Sequence, residues 1–286
     1  MNSEFKKLSS YEKRLFGQMH RLYTRNLQIV QDDIAAIYAK YGENNILEYR
    51  VMLDFLTPAE RDILYRDWDA FLARYPQYAH LTGVRSEAYK INRLQGLEQQ
   101  LKLGQLKQGI IEAEEYEKHL EKVVRLGWKS SLKSPMMISD ATVKMIANTM
   151  YKTDANIAAE LLGKKAIQAD RIFSYIKDAF IRGDSYSKMA QTIKDRFDVN
   201  YRAAKQWVYT EGSRCINEGK AQGFRDAGYT RYIYRTMQDD GVCDLCESMD
   251  GEEFSFAERE QGVNFPPMHT NCRCSFEVVI DENTKR

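Results

Sequence analysis

Apolar residues recur at Leu15, Met19, Tyr23, Leu27, Val30, Ile34, Ile37 and Tyr41. The steps of four and three draw one stripe down a long amphipathic helix. The polar stretch YGENN then ends it. A second helix starts at Thr57, with Pro58 at its first position and Glu60 three residues after the cap, the pattern of a capping box. Leu64, Trp68, Phe71 and Tyr75 form its inner face, and Pro76 stops it. From about Ser86 to Leu126 a third stripe runs through Leu94, Leu97, Leu101, Ile110, Ala113, Leu120 and Val124, with Gly104 as a weak point. Three long helices with narrow apolar faces must bury them against each other, a second copy or a larger partner.

The period is lost in GWKSSLKSPMMISD, 127–140, which reads as a linker. Shorter helices are expected beyond it, at about 141–150, 154–180, 185–197 and 201–227. Gly183-Asp184-Ser185 serves as turn and cap, and Asn200 as the cap of the last helix. Then the pattern changes from helical to alternating. YTRYIYRTM (229–237), EEFSF and CSFEVVI read as strands. The expected fold is mainly α, with long N-terminal helices and a small α+β C-terminal zinc-binding module at about 229–280.

Composition narrows the class. The 286 residues are 43% hydrophobic and 29% charged, as in globular chains. No apolar run approaches the roughly 20 residues that span a bilayer, so no membrane role is expected. The segment MNSEFKKLSSYEKR lacks the apolar core of a secretory signal, which points to a reducing, intracellular setting. Clustered cysteines there read as metal ligands. The net charge of +1 is uninformative, but residues 237–286 hold 12 acidic and 4 basic side chains, an excess that disfavours a phosphate-gripping role for this segment. The 18 tyrosines, Tyr229, Tyr232 and Tyr234 among them, are read as packing residues in preference to base-stacking platforms.

Four of the five cysteines fall within 243–274. Cys243-x-x-Cys246 and His269-x-x-Cys272 each present two soft ligands on a short spacing, and Cys274 shares a strand face with Cys272. Five candidates thus compete for the four positions of a tetrahedral zinc. Cys243, Cys246 and His269 are joined by Cys272 or Cys274, and Cys272 completes the knuckle-like spacing. Four protein ligands leave no open position for water, so the single ion is read as structural. Cys215 shares a helix face with Trp207, Val208, Glu211 and Phe224 and reads as a small buried residue. Glu211 on that stripe needs a cation if buried. Arg273 is the expected partner and Arg235 the alternative, against a plain solvent-exposed carboxylate.

In order along the chain come a G-D-S turn, Thr210-Glu211, Asn217 and Gly223 on a long helix, a Tyr-rich strand, DDGVCDLC, DGEEF and PPMHTNCRC. This series, from about Ser185 to Val279, resembles the phage head morphogenesis or minor capsid proteins of the Mu F type. Pro266, Pro267, His269, Cys272, Arg273 and Cys274 fall where that family places them. Tyr209 stands where the family often has Arg, and Asp244 and Thr270 where it often has Pro; none of the three is a candidate ligand. The resemblance implies a virion component of few copies, inside the capsid or at the portal vertex after assembly in the host cytoplasm. Its partners would be the portal protein or other capsid or scaffold proteins, with possible contact to packaged DNA, and its effect would be on DNA packaging or delivery. On that reading residues 1–126 form the capsid- or portal-interaction region and 141–286 the Mu F-like domain, with no catalytic residue. Two other readings stand beside it. A zinc-containing nuclease would use His269-Thr270-Asn271, but His20, His80 and His119 lie in the N-terminal helices, and Asp239-Asp240 reads as a solvated turn. A nucleic-acid-binding zinc module meets the acidic excess.

Overall fold

The first stripe forms α1 (Ser3–Tyr41), which buries Leu15, Met19, Tyr23, Val30 and Ile34. Leu27, Ile37 and Tyr41 are only half-buried, and Asn26 and Tyr38 are buried instead. Each step of four over-rotates a 3.6-residue helix by about 40°, so three such steps carry Leu27 off the stripe. The chain was analysed as a computed structural model, which describes residues 3–81, 91–131, 137–151, 153, 155–239 and 241–280.

After a short α2 (Tyr49–Met52), α3 (Pro58–Arg74) opens with the expected capping box. The Glu60 backbone N–H donates to Thr57 Oγ1, and the Thr57 N–H donates to the Glu60 carboxylate at 2.8 Å. A 3-10 turn follows at Pro76–Leu81. The third stripe forms α4 (Arg93–Ser131). Its expected beginning at 86–90 lies outside the described residues. Next come α5 (Asp140–Asn148), α6 (Ile157–Arg182) and α7 (Tyr186–Asp226). Then β1 (Arg231–Arg235), α8 (Asp244–Met249), β2 (Glu253–Ser255) and β3 (Ser275–Val278) complete the described fold.

Two expectations are corrected. Residues 127–131 belong to α4, not to a linker. Gly127 lies so close to α7 that a Cβ there would fall on the Ile216 carbonyl oxygen, and this packing holds the last turn of α4 helical. Helices expected at 185–197 and 201–227 are one helix, and Asn200 is an interior residue. No glycine or proline occurs between Ser185 and Gly212, and one interior Asn costs less than about 1 kcal/mol.

The chain divides into two compact units, each drawing on both sides of 127–140. One comprises Met19–Glu112 and Ala158–Tyr201. Its core joins Leu64, Trp68 and Phe71 of α3 to Leu103, Leu106 and Ile110 of α4. Beside it Lys165 donates to Glu112 at 2.8 Å and to the Tyr23 hydroxyl at 2.9 Å, the lysine and glutamate being fully buried. Glu112 also accepts from Gln108, which accepts from Asn26, so a buried charge pair is supported by a chain of amides.

The other unit comprises Met1–Gln18, Ala113–Ile157 and Arg202–Arg286. Here α4 and α7 approach backbone to backbone, since a Cβ on Gly219 would meet the Val124 carbonyl as one on Gly127 would meet Ile216. The three strands form an antiparallel sheet in the order β2-β1-β3. Tyr232 opposes Phe254 and Val278, and Tyr234 opposes Phe276. The alternation in β1 sends both tyrosines inward. Tyr232, Phe256, Phe265 and Phe276 pack on Ala221 and Phe224 of α7, which seats the sheet on that helix.

Candidate metal centre

Cys243 is the N-cap of α8 and Cys246 lies in its first turn. The turn at a strand end expected for this pair is therefore a helix start. The nearby Cys246 backbone N–H holds the Cys243 thiol below its ordinary range. Cys272 and Cys274 lie in the segment that leads into β3. His269 comes from the preceding loop, where its Nδ1 lies 2.8 Å from the Thr270 carbonyl. A carbonyl can only accept, so Nδ1 carries the proton and Nε2 is left to face the sulfurs. That nitrogen is 3.2 Å from Cys243 Sγ and 3.4 Å from Cys246 Sγ.

All five expected ligands come together, in two groups that share Cys246: Cys243, Cys246 and His269, and Cys246, Cys272 and Cys274. Cys246 and Cys272 are 3.9 Å apart, sulfur to sulfur. Around a tetrahedral zinc, bonds of about 2.3 Å to sulfur and 2.0 Å to nitrogen place neighbouring ligand atoms about 3.5–3.8 Å apart. The separations within each group of three fit such an ion, but among the described residues no four of the five ligand atoms lie within 4.8 Å of one another.

Charge points the same way. Burial pushes the Cys246 thiol up to about 11. The Cys274 thiol, donating to Cys272, holds Cys272 down at about 5, and the same bond keeps the proton on Cys274. His269 is raised, its burial being outweighed by the Thr270 carbonyl and the sulfurs around it. Of the four thiols, Cys246 and Cys274 are thus held protonated and Cys243 and Cys272 are eased towards the thiolate, the form that a metal binds. Tyr234, fully buried, donates its hydroxyl to Cys246 Sγ at 3.4 Å. Met268 and Phe254 close the apolar surround.

A row of polar side chains on α7, of which the expected stripe included only Glu211, supports the ligand loop. Thr210, Glu211, Ser213, Arg214, Asn217 and Lys220 are all buried. Thr210 Oγ1 accepts from the Asn271 N–H at 3.1 Å, and Asn217 donates to the Cys274 carbonyl at 3.0 Å. Lys220 donates to the Phe276 carbonyl at 2.7 Å. The signal in the sequence is a helical period of polar residues, at 210, 213, 214, 217 and 220.

The expected pairing of Glu211 with Arg273 does not form. Glu211 is buried and accepts from Arg214 at 2.6 Å, one helical turn along, and from the Tyr151 N–H at 3.0 Å. Arg214 also donates to the carbonyls of Ile146 and Ala147 at the end of α5. Arg273 is instead half-exposed and pairs with Asp239 at 2.8 Å, while Arg235 pairs with Glu277 across the sheet. Arg214 lies one turn along the same helix, and its burial against the end of α5 keeps it beside Glu211. Asp240 lies outside the described residues. Cys215 is fully buried and free, and burial pushes its thiol up to about 12.

Fold and site define a mainly helical protein with a small C-terminal sheet and, beside it, a Cys/His cluster that could hold a metal ion. Residues 170–277 match the family described as Phage Mu protein F like protein. The match takes in α7, every candidate ligand and the sheet as far as Glu277. No characterised protein and no solved structure gives a significant match to the chain.

Proposed function

We propose that this chain is a head-morphogenesis or minor capsid protein of a tailed phage or prophage, whose C-terminal module is held by one structural zinc. In this reading it joins the portal protein, or another capsid or scaffold protein, during procapsid assembly and affects DNA packaging or delivery. The observation that supports the reading is a cluster of Cys and His side chains that could hold a metal, partly enclosed by packing, inside the Mu F-like segment. The zinc ligands are assigned as Cys243, Cys246, His269 and Cys272, with Cys274 as the alternative fourth. A full protein ligand set leaves no place for an activated water, which supports a non-enzymatic role. Among the described residues no second histidine and no carboxylate belongs to either group, so the nuclease reading gains no support. No helix of the described residues is long and apolar enough to cross a membrane.

Contact with the portal or capsid partner is assigned to residues 1–126. Between α1 and α3 this region exposes Ile46, Leu53 and Phe55, apolar side chains that a partner would cover. Contact with packaged DNA is assigned to the cleft lined by Lys7, Lys122, Arg125 and Lys129. The decisive experiment is co-expression with the portal protein of the same genome. Co-purification of the two, retained on zinc loading and lost in Leu53→Glu/Phe55→Glu, is the expected result. Absence of the chain from procapsids and from portal complexes alike would overturn the assignment.

A further inference from the structure

In the unit that carries the metal centre, the start of α1, the middle of α7 and the ligand loop enclose a cavity of about 400 Å³. Phe5, Leu8 and Tyr209 give it apolar walls, and Glu12 and Ser213 give it polar ones. Glu12 is 6% exposed, and among the described residues it has neither a hydrogen bond nor an ion pair. Its carboxylate finds room because residue 212 is glycine: a Cβ there would lie 3.1 Å from Glu12 Oε1. Ser213 is as deeply buried. Its Oγ is a buried hydroxyl with no partner among the described residues, and the Glu12 carboxylate lines the cavity with no counter-ion beside it. The one cation on the lining, Arg273, is already paired with Asp239.

We infer that this cavity receives a cationic head on an aliphatic stem, the ammonium or guanidinium resting on Glu12 and Ser213 and the stem on Phe5, Leu8 and Tyr209. A buried acid lacking a counter-ion calls for a cation, and the apolar walls fit methylenes better than a hydrated inorganic ion. Burial alone pushes Glu12 up to about 8, as expected of a carboxyl waiting for its counter-charge. The chemistry is met by a lysine or arginine side chain of a partner polypeptide or by a free alkylamine. The inference does not rest on the capsid reading, since it uses only this cavity.

The test uses the full, zinc-loaded chain and ligand-detected NMR with three probes: N-acetyl-lysine methylamide, its norleucine counterpart, and 1,5-diaminopentane. The lysine probe is expected to bind at least about tenfold more tightly than norleucine, whose stem is alike and whose charge is absent. Glu12→Gln, which keeps the shape and removes the charge, is expected to erase that difference with circular dichroism unchanged. Ser213→Ala is expected to weaken lysine binding a few-fold, and serves as the second variant if Glu12→Gln misfolds. Binding of the capped lysine identifies a polypeptide as the source, and binding of the diamine alone identifies a free amine. Equal binding of lysine and norleucine, no binding of either cation up to about 10 mM, or binding indifferent to both substitutions would overturn the inference.

Discussion

Cys246 belongs to both groups of ligand atoms, while each of the other four belongs to one. Cys246→Ser should therefore abolish stoichiometric zinc. Cys272→Ser should cost more affinity than Cys274→Ser, by about tenfold or more in competition with a chromophoric chelator. The reverse order would make Cys274 the fourth ligand. A second residue-scale expectation concerns the buried Glu211–Arg214 pair. Glu211→Ala leaves a buried guanidinium short of its counter-ion and should cost about 3–5 kcal/mol in denaturant unfolding. A double-mutant cycle should give coupling above about 1 kcal/mol for Glu211 with Arg214 and additivity for Glu211 with Arg273. Glu12 sets a pH dependence. Burial raises it from 4.5 to about 8, so the folded state holds a proton that the unfolded state releases. Stability is intact below about pH 4.5 and falls as pH rises towards 8, by on the order of a few kcal/mol. Glu12→Gln should flatten that fall in melts between pH 5 and 9, and an unchanged slope would assign it to another group.

Among the elements, α7 does the most varied work. One stretch of this helix accepts the α4 backbone at Gly219, seats the sheet with Ala221 and Phe224, and bonds the ligand loop through Thr210 and Asn217. An uninterrupted helix holds these faces in fixed rotation, which two shorter helices would not. Gly219→Ala should push α4 away and lower stability by about 1–3 kcal/mol. Gly163, within α6, has nothing within 4 Å of an added Cβ. Gly163→Ala should therefore raise stability by up to about 1 kcal/mol, because only helix propensity changes. If thermal melts show equal effects for the two, the close approach at Gly219 is not what that glycine serves.

At the scale of the whole molecule, the sheet has strands of five, three and four residues, too little to hold itself in water. It depends on α7 and, on the proposed reading, on a zinc ion. Chelation of zinc should remove the near-ultraviolet signal of Tyr232 and Tyr234 while most far-ultraviolet helical signal remains. Loss of both together would mean that the ion supports the entire chain. Because each compact unit draws on both sides of 127–140, a fragment starting at Ser139 strips α7 of its α4 partner. Such a fragment should show reduced helicity and aggregate, and surface substitutions such as Phe55→Glu are the better probe of partner contact.

Much was legible in the residues alone. The capping box at Thr57, the alternation that turns Tyr232 and Tyr234 inward, and the nearness of Cys243 to Cys246 and of Cys272 to Cys274 follow from local spacing. Each depends on backbone geometry over a few residues, and such geometry is written in order along the chain. Tertiary structure decided the rest. Whether Gly127 breaks a helix or admits a neighbour depends on where α7 runs. Asn200 caps a helix or lies within one according to what packs on either side of it. Glu211 had several cations within the reach of a sequence argument, and only packing left Arg214 buried beside it and Arg273 half-exposed beside Asp239. The cost of burying charge depends on the surroundings in space, and spacing along the chain does not contain them.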